Sequence, residues 1–328
     1  MAVLGTAVIE PRFPQLQILE GTFQDLPVGY VRSNRIHRPN NFAIDSPGID
    51  LFICSIHTIQ LYYDSTMNQV RNKVWTRTAL KNPHRLGDKR RRIQEMFSAI
   101  AGTYDLLNHF LSLNLDRRWR RKAANLAQMK PGQKVLDLCC GTGDLAITFA
   151  ELYPALQVVV GVDFVETMLD IATHKLRTHR NKQNIDRCNL PYIIWLCSDV
   201  ECLPFADRQF DCVSCAFGIR NLQNLLPGLR ESFRVLKSGG QLVILEFAMP
   251  KHRWSAWLYG GYFRLVLPLI GSIIAKDAKG AYHYLPESVR SFSSAEELTE
   301  TIRKAGFEAI HVETLSGGIV AAYVARKS

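Results

Sequence analysis

The stretch "VLDLCCGTGDLA", Val135 to Ala146, decides the fold. "KVLDL" (134–138) is an unbroken apolar run with one acid in it, the pattern of a strand covered on both faces. A glycine turn follows, and then the opening of a helix. Gly141-Thr142-Gly143-Asp144-Leu145-Ala146 satisfies G-x-G-x-x-A, a turn that brings the backbone close to a nucleoside cofactor. Asp163 closes the next apolar run, "QVVVGVDF", where a carboxylate can bond ribose hydroxyls. The turn alone leaves a dinucleotide and other nucleosides open.

Two acids choose between them. Asp137 precedes the turn and Asp144 ends it. At close range in a partly dry site they would repel a diphosphate by several kcal/mol. S-adenosylmethionine has no phosphate, and its ammonium and sulfonium favour nearby carboxylates. Asp137, Gly141, Thr142, Gly143 and Asp163 are therefore read as its binding residues. A third strand end agrees: in "CSDVECLPFADRQFD", Asp199 can accept from the adenine amine and the Val200 N–H can donate to the ring. A dehydrogenase is disfavoured by Asp137.

Outward from the turn, strands and helices alternate. Helices are expected over 144–152, 166–177 and 225–236, with strands over 157–164, 192–199, 210–218 and 241–249. Such alternation gives a doubly wound, mostly parallel α/β sheet. A last helix, 295–305, leads into "FEAIHVETLSGGIVAAYVAR", an antiparallel hairpin turning at Ser316-Gly317-Gly318. Upstream, "IQEMFSAIAGTYDLLNHFLS" carries helical spacing, and "DRRWRRKAANLAQM" reads as an amphipathic helix with Asp116 at its N-cap. "KNPHRLGDKRRR" (81–92) reads as a solvated basic linker.

Residues 1–88 form a poorly defined extension without a motif; disorder, a processed targeting segment and a misassigned start all stay open. The stretch has nine Lys/Arg and seven Asp/Glu, more acid than transit peptides carry, and no secretory signal is evident. The net charge of +10 suits an anionic partner without fixing one. The eight cysteines sit largely in apolar runs and read as small buried hydrophobes. Cys212 and Cys215 lie three apart in a strand, on opposite faces, so neither a redox pair nor a metal is expected. "WSAWLYGGYFRLVLPLIGSIIA" (254–275) is long enough to cross a bilayer, but Arg264, Pro268 and its glycines argue instead for an apolar lid over a site.

With these residues in view, the chain resembles the ubiquinone/menaquinone biosynthesis C-methyltransferase family over 89–328. "MFSAIAGTYDLLNHFLSLNLDRRWRR", "VLDLCCGTGDLA", "LPFADRQFDCVSCAFGIRN", "YLPESVRSF" and "GGIVAAYVARK" match its motifs in order. The resemblance implies a class I adenosylmethionine-dependent methyltransferase fold. That is a Rossmann-like seven-stranded sheet with a C-terminal antiparallel hairpin and a lid insertion at 251–285. It implies C-methylation of a polyprenyl quinol ring, a naphthoquinol or the benzoquinol precursor of ubiquinone. It also implies transient membrane-surface contact: cytoplasmic at the inner face, or organellar in a eukaryote. Thr142, Asp163, Asp199 and Val200 match the family's cofactor positions. Ala216 stands where the family often has serine, so one side-chain contact is replaced.

A quinol ring attacks a methyl group once its hydroxyl loses a proton. Arg220 and Asn221, in "GIRN" past a strand end, are candidates to stabilise the phenolate and orient a water; a structural salt bridge is the competing reading of Arg220. Asp277, His283 and Tyr284 follow the lid, and one of them is a candidate proton acceptor. Tyr104 and Asp105 fall on the helix expected to close over the cofactor, where Tyr104 reads equally as a core aromatic. The large apolar groups of the lid suit a prenyl chain, a membrane surface or a homodimer face. An RNA methyltransferase is the main rival, suggested by charge and "RRWRRK"; the place of its usual Pro-Pro-aromatic motif reads "AFGIRN" here, so no nucleic acid is expected.

Overall fold

The structure is a computed structural model that describes residues 30–31, 75, 77–182, 190–248 and 281–328. Its strands are β1 (Tyr30–Val31), β2 (Lys134–Leu138), β3 (Val158–Asp163), β4 (Tyr192–Cys197), β5 (Phe210–Ala216), β6 (Leu236–Phe247), β7 (Glu308–Leu315) and β8 (Val320–Arg326). The helices are α1 (Arg77–Leu80), α2 (Lys89–Leu111), α3 (Leu115–Leu126), α4 (Asp144–Leu152), α5 (Glu166–Lys182), α6 (Leu225–Val235), α7 (Ala281–Arg290) and α8 (Ala295–Lys304). Among the described residues no helix is long and apolar enough to cross a membrane.

The strands form one sheet in the order β1-β4-β3-β2-β5-β6-β8-β7, parallel except where β8 pairs antiparallel with β6 and β7. The chain winds outward from β2 in one direction and from β5 in the other. The junction of β2 and β5 is thus the switch point, beyond whose carboxyl ends such sheets bind ligands. All five residues of β2 are buried, as its apolar run requires.

The pleat sorts side chains between two layers. Val135, Val159, Cys212 and Val243 face a layer built from Trp119 and Ala123 of α3, Phe149 of α4 and Leu176 of α5. Leu136, Val160, Val213 and Leu242 face the other, with Leu229 of α6 and Ile302 of α8. Cys212 and Cys215 fall in opposite layers, both buried and free, as their spacing requires.

Trp195 of β4 fixes how closely the glycine turn approaches the sheet. Its side chain is fully buried, and Gly161 is its register partner on β3. A Cβ on Gly161 would lie 2.5 Å from the indole, and one on Gly143, at φ 84°, would lie 2.4 Å away. Two bare backbones leave room for the indole beneath the turn.

The structure corrects several expectations. The seven strands carry an eighth, because Tyr30–Val31 pairs with the exposed edge of β4 and satisfies its backbone. The 81–92 stretch is no solvated linker. Lys89 opens α2, is buried, and donates to the carbonyls of Arg220 (2.8 Å) and Leu222 (2.5 Å). Trp75 stacks on Tyr284 at 4.4 Å between ring centroids, so residues ahead of α2 pack against α7. Asp116 is not an N-cap: α3 begins at Leu115 behind Asn114, and Asp116 is buried in its first turn. Helix α5 runs past 177 to Lys182, and β6 starts at Leu236, taking in the glycines expected to precede it. The lid at 251–285 lies outside the described residues until α7 begins at Ala281.

The Trp195 contact generates the first prediction. Gly161→Ala should lower stability by about 1–3 kcal/mol through overpacking, read as a lower midpoint of urea unfolding. Adding Trp195→Leu should recover part of that loss; a Gly161→Ala protein as stable as the parent would contradict the packing described.

Candidate active site

β2 delivers Asp137 to the switch point with 1% of its surface exposed. Its register partner on β5 is Ser214, whose hydroxyl donates to Asp137 Oδ1 at 2.8 Å. Oδ2 forms no hydrogen bond within ordinary geometry, although the Ala146 amide at the start of α4 draws the acidity downward. Burial dominates and pushes the Asp137 pKa up to about 7, against the Ser214 hydrogen bond. Past β2 the chain turns through three left-handed residues, Cys139 (φ 50°), Gly141 (φ 53°) and Gly143. Cys139 has a Cβ and so holds that conformation at a penalty, which is characteristic of functional turns.

Asp163 ends β3 and braces the same turn. Its Oδ2 accepts from the Gly141 N–H at 2.8 Å and its Oδ1 from the Val165 N–H at 2.9 Å. Burial pushes its pKa up to about 6, offset in part by these backbone bonds. A cleft over the turn is lined by Asp137, Gly141, Thr142, Tyr104, Arg120 and Ala216. Tyr104 from α2 and Arg120 from α3 close it, and burial raises the Tyr104 pKa. Ala216 brings no polar atom, so the replaced serine leaves this wall apolar.

Around the cleft runs a network of paired charges. Thr142 Oγ1 donates to Asp105 Oδ1 at 2.5 Å and accepts from Lys175 Nζ at 2.9 Å. Lys175 pairs with Asp105 (2.5 Å) and with Asp144 (2.7 Å). Arg120 pairs with Asp116 at 2.5 Å and lies 3.8 Å from Asp144. The cations hold the Asp144 carboxyl below its usual range despite burial. Asp144 is therefore neutralised, contrary to its expected part in repelling phosphate. That part falls to Asp137 and Asp163, which have no ion pair among the described residues. His109, Asp116 and Asp144 converge within 4.8 Å, but Asp116 and Asp144 already hold cations and His109 bonds Asp116 at 2.9 Å.

Elsewhere the expected residues are engaged differently. Asp199 Oδ2 pairs with Arg90 at 2.5 Å and Oδ1 accepts from the Glu201 N–H, so its carboxylate faces α2; Val200 is buried beside it. Arg220 is buried and pairs with Glu246 at 2.7 Å, with its guanidinium 5.5 Å from the Phe247 ring centre. Burial pulls the Arg220 pKa down, and the charge and hydrogen bond of Glu246 together with the Tyr284 and Tyr104 hydroxyls outweigh it, so the pKa is raised. Asn221 Oδ1 accepts from the Tyr284 hydroxyl at 2.9 Å. Asp277 lies outside the described residues, and His283 is placed only as a position on α7. Arg120, Lys175, Ser214 and Glu246 were not singled out beforehand. Glu246 carried a signal, an acid inside the apolar run "LVILEF"; Arg120 sits on the apolar side of α3, where a lone arginine stands out.

The donor set fits S-adenosylmethionine. A buried carboxylate with one oxygen free of hydrogen bonds lines the cleft, a second carboxylate stands at the neighbouring strand end, and the nearest cations are spent on acids. A diphosphate finds no free cation there among the described residues.

The chain matches the model of the ubiE/COQ5 methyltransferase family over residues 85–327. It is 40% identical over 243 residues to the ubiquinone/menaquinone biosynthesis C-methyltransferase UbiE of Geotalea uraniireducens, covering 74% of this chain and 99% of that one. It is 42% identical over 240 residues to the demethylmenaquinone methyltransferase of Deinococcus radiodurans, covering 73% and 94%. The demethylmenaquinone methyltransferase of Bacteroides fragilis is 37% identical over 242 residues, covering 74% and 94%.

Asp137 generates the second prediction. A carboxyl whose folded pKa is raised binds its proton more tightly in the native state, so native stability falls as pH rises from about 4 to about 7. Asp137→Asn, which keeps an acceptor for Ser214, should raise the melting temperature of the unliganded protein at pH 8 and remove most of that fall. The same change should weaken S-adenosylmethionine binding about tenfold or more in calorimetry. Parent affinity should drop as pH falls from 7 towards 5, because a protonated Asp137 no longer attracts a cation.

Proposed function

Because the chain belongs to the ubiE/COQ5 methyltransferase family, it is an S-adenosylmethionine-dependent C-methyltransferase of quinone biosynthesis, and we propose that its acceptor is a polyprenylated quinol. Demethylmenaquinol and the benzoquinol precursor of ubiquinone are the two candidate rings, and the names of the relatives span both. The observation that carries the reading is the buried, half-bonded Asp137 carboxylate at the switch point, which suits a cationic donor.

The cofactor supplies an electrophilic methyl group when bound. Asp137 would hold its ammonium; Gly141 and Gly143 admit the backbone approach, and Thr142 anchors the turn to α2. Asp163 would take the ribose hydroxyls, and Asp199 with Val200 the adenine once Asp199 is shared with Arg90. Tyr104 excludes water from one side of the cleft. The acceptor hydroxyl must lose its proton as the new carbon–carbon bond forms. Arg220 would stabilise the resulting oxyanion, with Glu246 fixing the guanidinium plane and Asn221 positioned by Tyr284. Asp277 and His283 remain the proposed proton acceptors. The acceptor is a lipid, so we place the working protein at a membrane surface, cytoplasmic or within an organelle.

The test incubates the protein with labelled S-adenosylmethionine and a panel of demethylated naphthoquinols and benzoquinols, with mass spectrometry of the products. Label in a ring methyl of one class is expected; label in neither overturns the reading. Arg220 can be separated from its structural pairing. Arg220→Gln should cut turnover about a hundredfold with S-adenosylmethionine affinity nearly unchanged. It should also destabilise the fold by leaving Glu246 buried without its partner. Arg220→Gln/Glu246→Gln should recover stability but not turnover; recovery of both would make the pair structural.

A further inference from the structure

We propose that the α2–α3 hairpin is the face by which this protein rests on an anionic lipid surface. The proposal rests on the reading of the acceptor as a membrane lipid and deepens it by naming the docking face.

Three large apolar side chains are exposed among the described residues, and two of them, Leu106 (71%) and Leu113 (72%), are here. Leu106 lies on the last two turns of α2 and Leu113 in the turn that follows it, so both flank the hairpin tip. The backbone holds Leu113 outward. Leu113 (φ 52°) and Asn114 (φ 61°) are consecutive left-handed residues without being glycine. The bend is tied by the Asn114 N–H to the His109 carbonyl (2.7 Å) and the Leu115 N–H to the Ser112 carbonyl (2.9 Å). A strained turn that exposes leucine points to something that covers it.

Charge is segregated across the same hairpin. Arg117, Arg118 and Arg121 are exposed on one turn of α3, and none has an ion pair among the described residues. Residues 102–122 contain two acids, and both turn inward: Asp105 to Thr142 and Lys175, Asp116 to Arg120, His109 and Ser112. The outer side of the hairpin is therefore cationic and aliphatic with no acid of its own, Glu313 of β7 pairing only with Lys122 at its edge (3.0 Å), the chemistry of an interfacial helix on anionic headgroups. Aliphatic rather than aromatic exposed groups favour lipid over single-stranded RNA, whose bases stack on aromatics. The inner side of the same hairpin supplies Tyr104 and Arg120 to the cofactor cleft, so the docking face and one wall of the cleft belong to a single element.

The test measures partitioning of the full chain onto large unilamellar vesicles at 0.15 M salt, with phosphatidylcholine alone or mixed with phosphatidylglycerol. Arg117→Gln/Arg118→Gln/Arg121→Gln should lower partitioning onto the anionic vesicles about tenfold or more, each basic residue being worth roughly fivefold near such a surface. Leu106→Gln/Leu113→Gln should lower it severalfold. A control of equal charge change, Arg230→Gln/Lys304→Gln/Arg326→Gln, all exposed elsewhere, should change it less than about twofold. Methylation of a short-chain, water-soluble quinol should stay within about twofold of the parent in every variant. If both hairpin variants bind vesicles like the parent, or the control loses as much, the face is wrong while the acceptor reading stands. If the hairpin arginines prove to matter for an RNA homopolymer and not for vesicles, the proposal is overturned. If the parent methylates no quinol, the acceptor reading fails whatever the vesicles show.

Discussion

An ionised carboxylate drawn out of water is expensive unless something returns what the water gave, and Asp137 is returned only half. Ser214 bonds one oxygen, the other has no hydrogen bond, and the residue lines the cleft. Burial raises its pKa to about 7 from 3.8, so its ionisation weighs against the stability of the unliganded protein as pH rises, a deficit left inside the fold. In the proposed site a cationic ligand would recover that deficit on binding. The rest of the fold is arranged to keep the deficit in place: five buried residues of β2 hold the strand end, β5 fixes Ser214 opposite, and Trp195 presses the glycine turn into register.

The other acids near the turn follow a different rule, and the difference is what makes the site selective. Asp105, Asp116 and Asp144 each hold a lysine or arginine, so their fields largely cancel, and the network serves to join α2, α3, α4 and α5 around the turn. Asp137 and Asp163 alone keep uncompensated charge where a ligand would sit. A phosphate-binding turn offers open backbone N–H groups at the positive helix start and keeps carboxylates away from them.

This division also explains what the sequence could and could not tell. Strand–helix alternation, the switch point, the opposed faces of Cys212 and Cys215 and the C-terminal hairpin follow from local periodicity, which survives folding unchanged. Asp137 and Asp163 were legible because a strand end and a glycine turn fix where a side chain goes. The ion pairs of Asp144 and Asp199 left no trace in the sequence because their partners, Lys175 and Arg90, come from helices distant in sequence, and no local pattern announces a pairing. Lys89 was misread for a similar reason: a basic run looks solvated until Arg220 and Leu222 carbonyls are found waiting for one of its members. β1 had no signal at all, since two residues cannot show a period.

The proposed methyl transfer makes two opposite demands on polarity, and in the proposed role the Arg220–Glu246 pair would meet both. Ionising a quinol needs positive charge nearby, yet the transfer itself joins an anionic ring to a cationic donor and consumes both charges, which a polar medium opposes. A lone buried guanidinium would favour the first demand and hinder the second, besides being costly to bury. Paired with Glu246 it forms a neutral unit whose field is strong at contact distance and weak beyond it. The apolar wall left by Ala216 belongs to the same compromise, because it adds no dipole that would hold the separated charges apart. In this reading selectivity for a cationic donor comes from Asp137 and Asp163, while the Arg220–Glu246 pair adds little net charge on the proposed acceptor side.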